Sequence, residues 1–195
     1  PITTMQKITY STDTTAALPA SGALSAGRSY LAASSARANA LPQPLAPTPT
    51  ATTSDGPSPN TGYFGGGMGS GFSPVSTMDK VTYASDTTAA VASANLTIAR
   101  TYVAATSSST AGYFGGGSPG PRSTMDKVTY ASDTTAAVAG AALSAARSNL
   151  GATGSSTAGY FGGGMDSGFS AVSTMEKVTY STDTTAALPA SGALS

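Results

Sequence analysis

Apolar and polar residues alternate in Met78-Asp79-Lys80-Val81-Thr82-Tyr83, and a period of two sets Val81 and Tyr83 on one face of a short strand. Ser85-Asp86-Thr87-Thr88 follows with turn chemistry, because Asp and Thr side chains bond nearby backbone N–H groups. The pattern then predicts a second short strand over Ala89 to Val91, a third over Tyr102 to Thr106 and a fourth over Ala111 to Phe114. Triple glycine after Phe114 permits backbone angles closed to other residues, so each Tyr-Phe-Gly-Gly-Gly block is expected to end a strand. The Ala-rich stretches favour helix by propensity, but Gly, Ser and Thr break them into short pieces. A chain almost free of α-helix is expected.

This pattern recurs. Gly62-Tyr63-Phe64-Gly65-Gly66-Gly67 returns at Gly112 to Gly117 and at Gly159 to Gly164, with offsets of 50 and 47 residues. Thr-Met-Asp/Glu-Lys-Val-Thr-Tyr ends at Tyr83, Tyr130 and Tyr180, and a variant ends at Tyr10. Asp-Thr-Thr-Ala-Ala follows each, at Asp13, Asp86, Asp133 and Asp183, and Leu-x-x-x-Arg closes at Arg28, Arg100 and Arg147. Residues 76–117 and 123–164 align without a gap, which predicts equivalent, largely buried positions for Tyr83 and Tyr130. The division is a first repeat in 1–33, a Pro/Thr/Ser-rich insertion in 34–61, the end of the first repeat in 62–75, a second repeat in 76–122, a third in 123–172 and a partial fourth in 173–195. The insertion, with Pro42, Pro44, Pro47, Pro49, Pro57 and Pro59, is expected to lie outside the repeat core. Tyr10 to Ser25 is identical to Tyr180 to Ser195, so the natural chain is expected to continue.

Composition narrows the function. The hydrophobic fraction of 39% is mostly Ala, which buries little area per residue, so many thin layers suit the chain better than one thick core. Nine basic and nine acidic residues cancel, and Lys7, Lys80, Lys127 and Lys177 stand one per repeat, a distribution that argues against nucleic-acid binding. The absence of Cys and His removes thiol nucleophiles, disulfides, the usual zinc sites and a Ser-His-Asp triad. No apolar run reaches membrane-spanning length. No cofactor is expected, and a near-periodic sequence without an irregular polar cluster does not read as an enzyme.

Several residue sets still admit a site. Asp79, Asp126 and Glu176 occupy one position in successive units and Asp86, Asp133 and Asp183 another. Such rows could bind Ca²⁺, but calcium loops pack several carboxylates into one short segment, so the stronger expectations are that the first row pairs with the adjacent Lys or caps a blade and that the second fixes a turn. Arg28, Arg100 and Arg147 could form a ring that contacts a partner, or each could bond carbonyls or an Asp of the neighbouring unit in buried fork geometry, which is favoured. Tyr63, Tyr113 and Tyr160 precede Phe64, Phe114 and Phe161, and strand alternation turns the two aromatics of each pair to opposite sides. One should be core, and the other packs between repeats or serves as a sugar platform. Asn95-Leu96-Thr97 is a glycosylation sequon.

Four strands per unit with Tyr113-Phe114-Gly115-Gly116, then Tyr130 to Asp133, then Arg147 resemble a divergent kelch repeat, with Ala137 or Val138 near the place of the usual Trp. The resemblance covers nearly the whole chain outside the insertion. It implies an all-β fold of tandem four-stranded propeller-type blades, in an open array or as part of a larger propeller, with loop surfaces that bind partners. Gly-Tyr-Phe-Gly-Gly-Gly and Asp-Thr-Thr-Ala are also similar to arrays in tail-fibre-like and adhesin-like proteins of aquatic phages and bacteria. That likeness implies an extracellular, cell-surface or virion location. The expected function is a structural, adhesive fibre or appendage protein that contacts further repeats or copies of itself. The alternative is a propeller binding module for glycan or protein.

Overall fold

The computed structural model describes residues 5–9, 14–18, 20–35 and 61–194. Most of the insertion, residues 36–60, lies outside the described residues, as do Tyr10 and Asp13. The fold is all-β, and the described helical turns are short 3₁₀ segments. An N-terminal hairpin pairs β1 (Gln6–Thr9) with β2 (Thr14–Ala17). Three four-stranded antiparallel sheets follow, each with its strands in sequence order. Sheet 1 contains β3 (Ala32–Ser35), β4 (Thr61–Gly65), β5 (Met78–Thr82) and β6 (Thr87–Ala90). Sheet 2 contains β7 (Ala104–Ser107), β8 (Ala111–Gly115), β9 (Met125–Thr129) and β10 (Thr134–Ala137). Sheet 3 contains β11 (Gly151–Gly154), β12 (Ala158–Gly162), β13 (Met175–Thr179) and β14 (Thr184–Ala187).

The strands match the sequence pattern closely. The Tyr-Phe strands end at Gly65, Gly115 and Gly162, and the expected second and third strands shift by about two residues, the usual uncertainty at an element boundary. The sequence unit and the sheet are nevertheless out of phase. Met78–Ala90 closes sheet 1, whereas Ala104–Gly115 opens sheet 2, so the second repeat of 76–122 is divided between two sheets. Registers are conserved: Tyr63, Tyr113 and Tyr160 lie opposite Lys80, Lys127 and Lys177.

The first strands of the three sheets, β3, β7 and β11, adjoin in succession. From the fourth strand of each sheet the chain crosses to the first strand of the next through a 3₁₀ turn, as at Ala92–Ala94 and Ala139–Ala141. The apolar core therefore lies between sheets. One cluster joins Tyr63 and Met78 of sheet 1, Leu96 and Val103 of the crossing, and Phe114, Val128 and Tyr130 of sheet 2. The second repeats this with Tyr113, Met125, Leu143, Leu150, Phe161, Val178 and Tyr180. Phe114 is fully buried, and a burial of that size stabilises by about 1.5–3 kcal/mol. Tyr113 faces sheet 3 while Phe114 faces sheet 1, as strand alternation requires.

Candidate functional site at the joints between sheets

The side chains with chemical potential gather where one sheet meets the next. Arg100 lies on the crossing between sheets 1 and 2, and its backbone belongs to sheet 1. Its N–H donates to the Val75 carbonyl (3.2 Å), and its carbonyl accepts from the Gly67 N–H (2.8 Å). Its guanidinium reaches into sheet 2, where Nη1 donates to the carbonyls of Gly116 (2.8 Å) and Thr124 (2.9 Å) and Nη2 to Asp126 Oδ2 (2.6 Å). Arg147 joins sheet 2 to sheet 3 from the equivalent position: its Nη1 donates to the carbonyls of Gly163 (3.3 Å) and Thr174 (2.8 Å), and its Nη2 forms an ion pair with Glu176 Oε2 at 3.2 Å without a hydrogen bond. Arg28 bonds Gly66, Thr77 and Asp79 of sheet 1.

Glycine makes this approach possible. Gly116 has φ +70, and a Cβ there would stand 2.8 Å from the Arg147 carbonyl and 2.6 Å from the Leu150 side chain. The acidic partners are held from a second direction. Thr97 donates its N–H (3.0 Å) and its hydroxyl (2.6 Å) to Asp126, and Ser144 does the same for Glu176. Burial lowers the pKa values of Arg28 and Arg100, and Asp79 and Asp126 oppose that effect.

A second set of contacts lies further out. Tyr63 stacks on Tyr130 with ring centroids 5.1 Å apart, and Tyr113 on Tyr180 at 4.9 Å. The Tyr113 hydroxyl donates to Asp183 (2.6 Å), and Tyr63 bonds Asp133 equivalently. Lys80 pairs with Asp133 (2.8 Å) and Lys127 with Asp183 (2.7 Å), each ammonium also lying over the tyrosine of its own sheet. Lys7 of the N-terminal hairpin pairs with Asp86 of sheet 1. Asp86, Asp133 and Asp183 share φ 52, a left-handed turn conformation that Asp tolerates better than most residues. Burial raises the phenol pKa values of Tyr63 and Tyr113, and the bonded carboxylates raise them further. Burial pushes the Asp183 pKa upward, but Lys127 and Tyr113 hold it below the ordinary value.

Several sequence expectations change here. Arg28, Arg100 and Arg147 are no ring for a partner, because all three are at most 3% exposed and spent on the following sheet. Tyr63 and Tyr113 are closed to a sugar, since the tyrosine of the next sheet covers them, whereas Tyr160 is half-buried. The carboxylates Asp79, Asp126 and Glu176 pair with arginine, and the aspartates of the second row take the lysines. The sequon sits inside a joint, where the Asn95 side-chain oxygen accepts from the Met78 N–H and Thr97 holds Asp126. Tyr130 is buried but Tyr83 is only half-buried, because the Tyr63 ring covers the former. Among the described residues no cluster of three or more acidic side chains could hold a metal. Among the described residues no helix is long and apolar enough to cross a membrane.

Sequence reasoning missed two side chains. Phe72 and Phe169 are 82% and 84% exposed at the tips of the loops before β5 and β13, both at φ 60. Their shared Ser-Gly-Phe-Ser context was the available signal.

These joints define a class: an all-β repeat protein in which each sheet is secured mainly by its sequence neighbours. No protein-family model matches the chain, and no curated protein matches it.

Proposed function

We propose that the chain is a structural repeat protein of an extracellular fibre, filament or virion appendage, built from kelch-like, propeller-type units and without catalytic activity. One observation carries the reading: Arg28, Arg100 and Arg147, with Tyr63, Tyr113, Lys80, Lys127 and the carboxylates they meet, are consumed in repeated contacts between sheets. Such joints extend an array without requiring a ligand. The adjoining first strands β3, β7 and β11, with sheets crossed in sequence order, support the propeller-type arrangement. Antibodies raised against the chain test the location by immunogold labelling of source particles or cells. Label along appendages is expected, and label confined to the interior overturns the proposal.

The second reading is a propeller module that recognises glycan or protein. Phe72 and Phe169 favour it, since a bulky residue held outward in a left-handed conformation is strained, and strain of this kind clusters at binding sites. A glycan array probed with the wild-type chain and with Phe72→Ser/Phe169→Ser decides it. Binding lost in the variant establishes this reading, and no binding by the wild type removes its glycan form.

A further inference from the structure

We propose that Tyr30 and Tyr102 form an oxidative cross-linking site, at which a peroxidase acting with hydrogen peroxide joins the two rings and locks sheet 1 to sheet 2 by a covalent bond. The inference goes beyond the structural-repeat reading and does not depend on it. Tyr30 follows Arg28 by two residues and Tyr102 follows Arg100 by two, and each leads into the first strand of its sheet. The Tyr102 N–H donates to the Tyr30 carbonyl (3.1 Å), so the backbone fixes one residue against the other. The ring centroids are 4.5 Å apart, with an interplanar angle of 41°. Desolvation raises the Tyr102 phenol pKa, and the charge and hydrogen bonding of Tyr30 raise it further, which sets the two hydroxyls side by side.

Tyrosine is a costly choice at these two places. Both have φ 55, a left-handed conformation that strains a bulky residue. Asn149 holds the equivalent place before β11 with φ 56, and Asn tolerates this region better. The backbone therefore does not call for the rings, and their value lies in the side chains. The rings are also accessible. Tyr102 stands between Tyr30 and Asn149, whose N–H donates to the Tyr102 carbonyl (3.3 Å), and it is still part-exposed. Access to the pair thus does not depend on what flanks sheet 1. The stacked pairs Tyr63 with Tyr130 and Tyr113 with Tyr180 have similar spacing, but all four of those rings are at most 9% exposed. The chemistry needs both closeness and access. Each phenol gives up one electron and one proton to become a phenoxyl radical, and hydrogen peroxide takes up both electrons and both protons to leave as two waters. The radicals combine through a carbon ortho to each oxygen, forming one C–C bond. The ortho hydrogens then pass to the oxygens as the rings regain aromaticity, and the product is dityrosine.

Treatment of the whole chain with a haem peroxidase and hydrogen peroxide tests the site, at a dilution that suppresses coupling between molecules. The expected product is a single chain lighter by two hydrogen atoms, with dityrosine fluorescence. Proteolysis and mass spectrometry should show the peptides that contain Tyr30 and Tyr102 joined. Tyr30→Phe and Tyr102→Phe each keep the ring and remove the phenol oxygen, so both should match the wild type by circular dichroism and lose the product almost entirely. The cross-linked chain should also unfold at higher urea concentration than the untreated chain, because the new bond closes a loop in the unfolded state. A treated chain without dityrosine, a map that joins other tyrosines instead, a product that persists in both variants, or an unchanged urea midpoint overturns the proposal. Failure here with appendage labelling intact removes only the cross-link; interior labelling with a mapped bond between Tyr30 and Tyr102 removes only the fibre reading.

Discussion

Replacing Arg100 with Met should be the most damaging single change at the joint between sheets 1 and 2. The substitution removes two bonds to carbonyls and the charged bond to Asp126, all from a guanidinium that is 0% exposed. Asp126, itself 0% exposed, keeps only the donors of Thr97, and its charge loses the counter-ion. Removing one partner of a buried pair costs about 3–5 kcal/mol, because the other charge stays out of water. Thr124 O still accepts from the Gly116 N–H, so the lost carbonyl bonds add less than their number suggests. With a urea slope of about 2 kcal/mol per M, the midpoint should fall by roughly 1.5–2.5 M. Arg100→Met/Asp126→Leu should recover most of that loss, because no buried charge remains. Arg147→Met should cost less, since Arg147 and Glu176 sit 3.2 Å apart against 2.6 Å for Arg100 and Asp126. Urea unfolding followed by tyrosine fluorescence and circular dichroism supplies the numbers. If Arg100→Met lies within about 1 kcal/mol of wild type, the staple has no energetic weight and the reasoning fails.

The remaining predictions concern pH and backbone contacts. Burial raises the phenol pKa values of Tyr63, Tyr113, Tyr130 and Tyr180, so their contribution is full below the unfolded value of about 10 and is lost as pH rises from there. Tyrosinate absorbance from these rings should appear together with unfolding; ionisation at ordinary pH in an intact fold would contradict this. The lowered Asp183 pKa contributes stability above the unfolded value of about 3.9 that is lost as pH falls below it. Asp183→Asn should flatten that part of the acid slope, and an unchanged slope would count against it. A Cβ on Gly112 would stand 2.3 Å from Ser34 Oγ and 3.0 Å from the Tyr130 hydroxyl, so Gly112→Ala should cost about 1–3 kcal/mol. Gly151 has nothing within 4 Å, and Gly151→Ala should be neutral or add about 0.4–1 kcal/mol. Thermal melts of the two variants should move in different directions, and equal shifts would refute the account.

The strands were legible because their signals are local: β-branched residues, alternation and glycine punctuation lie within five residues of one another. The sheet boundaries were not, because sequence similarity sets the length of a period but not its phase. Met78–Thr82 opens the sequence unit yet stands third in its sheet. The arginine contacts were half legible. Fork geometry argued for carbonyls and an acid, but only the crossing of the chain showed that backbone and side chain of Arg100 serve different sheets. Tyrosine burial was set by a ring 67 residues away in sequence for both Tyr63 with Tyr130 and Tyr113 with Tyr180, so no window around Tyr83 could show that it differs.

The repeated joints also bear on how such a chain changes over generations. Arg100 meets Asp126 where Arg147 meets Glu176, and Lys80 meets Asp133 where Lys127 meets Asp183. Unequal recombination between the coding segments for 76–117 and 123–164 removes or duplicates 47 residues in frame. Each staple across the crossover then finds the equivalent acid of another unit. Length can drift by whole units with no compensating substitution, while a break at any other spacing strands an arginine away from its acid. Copy number is thus the dimension along which this architecture varies most freely.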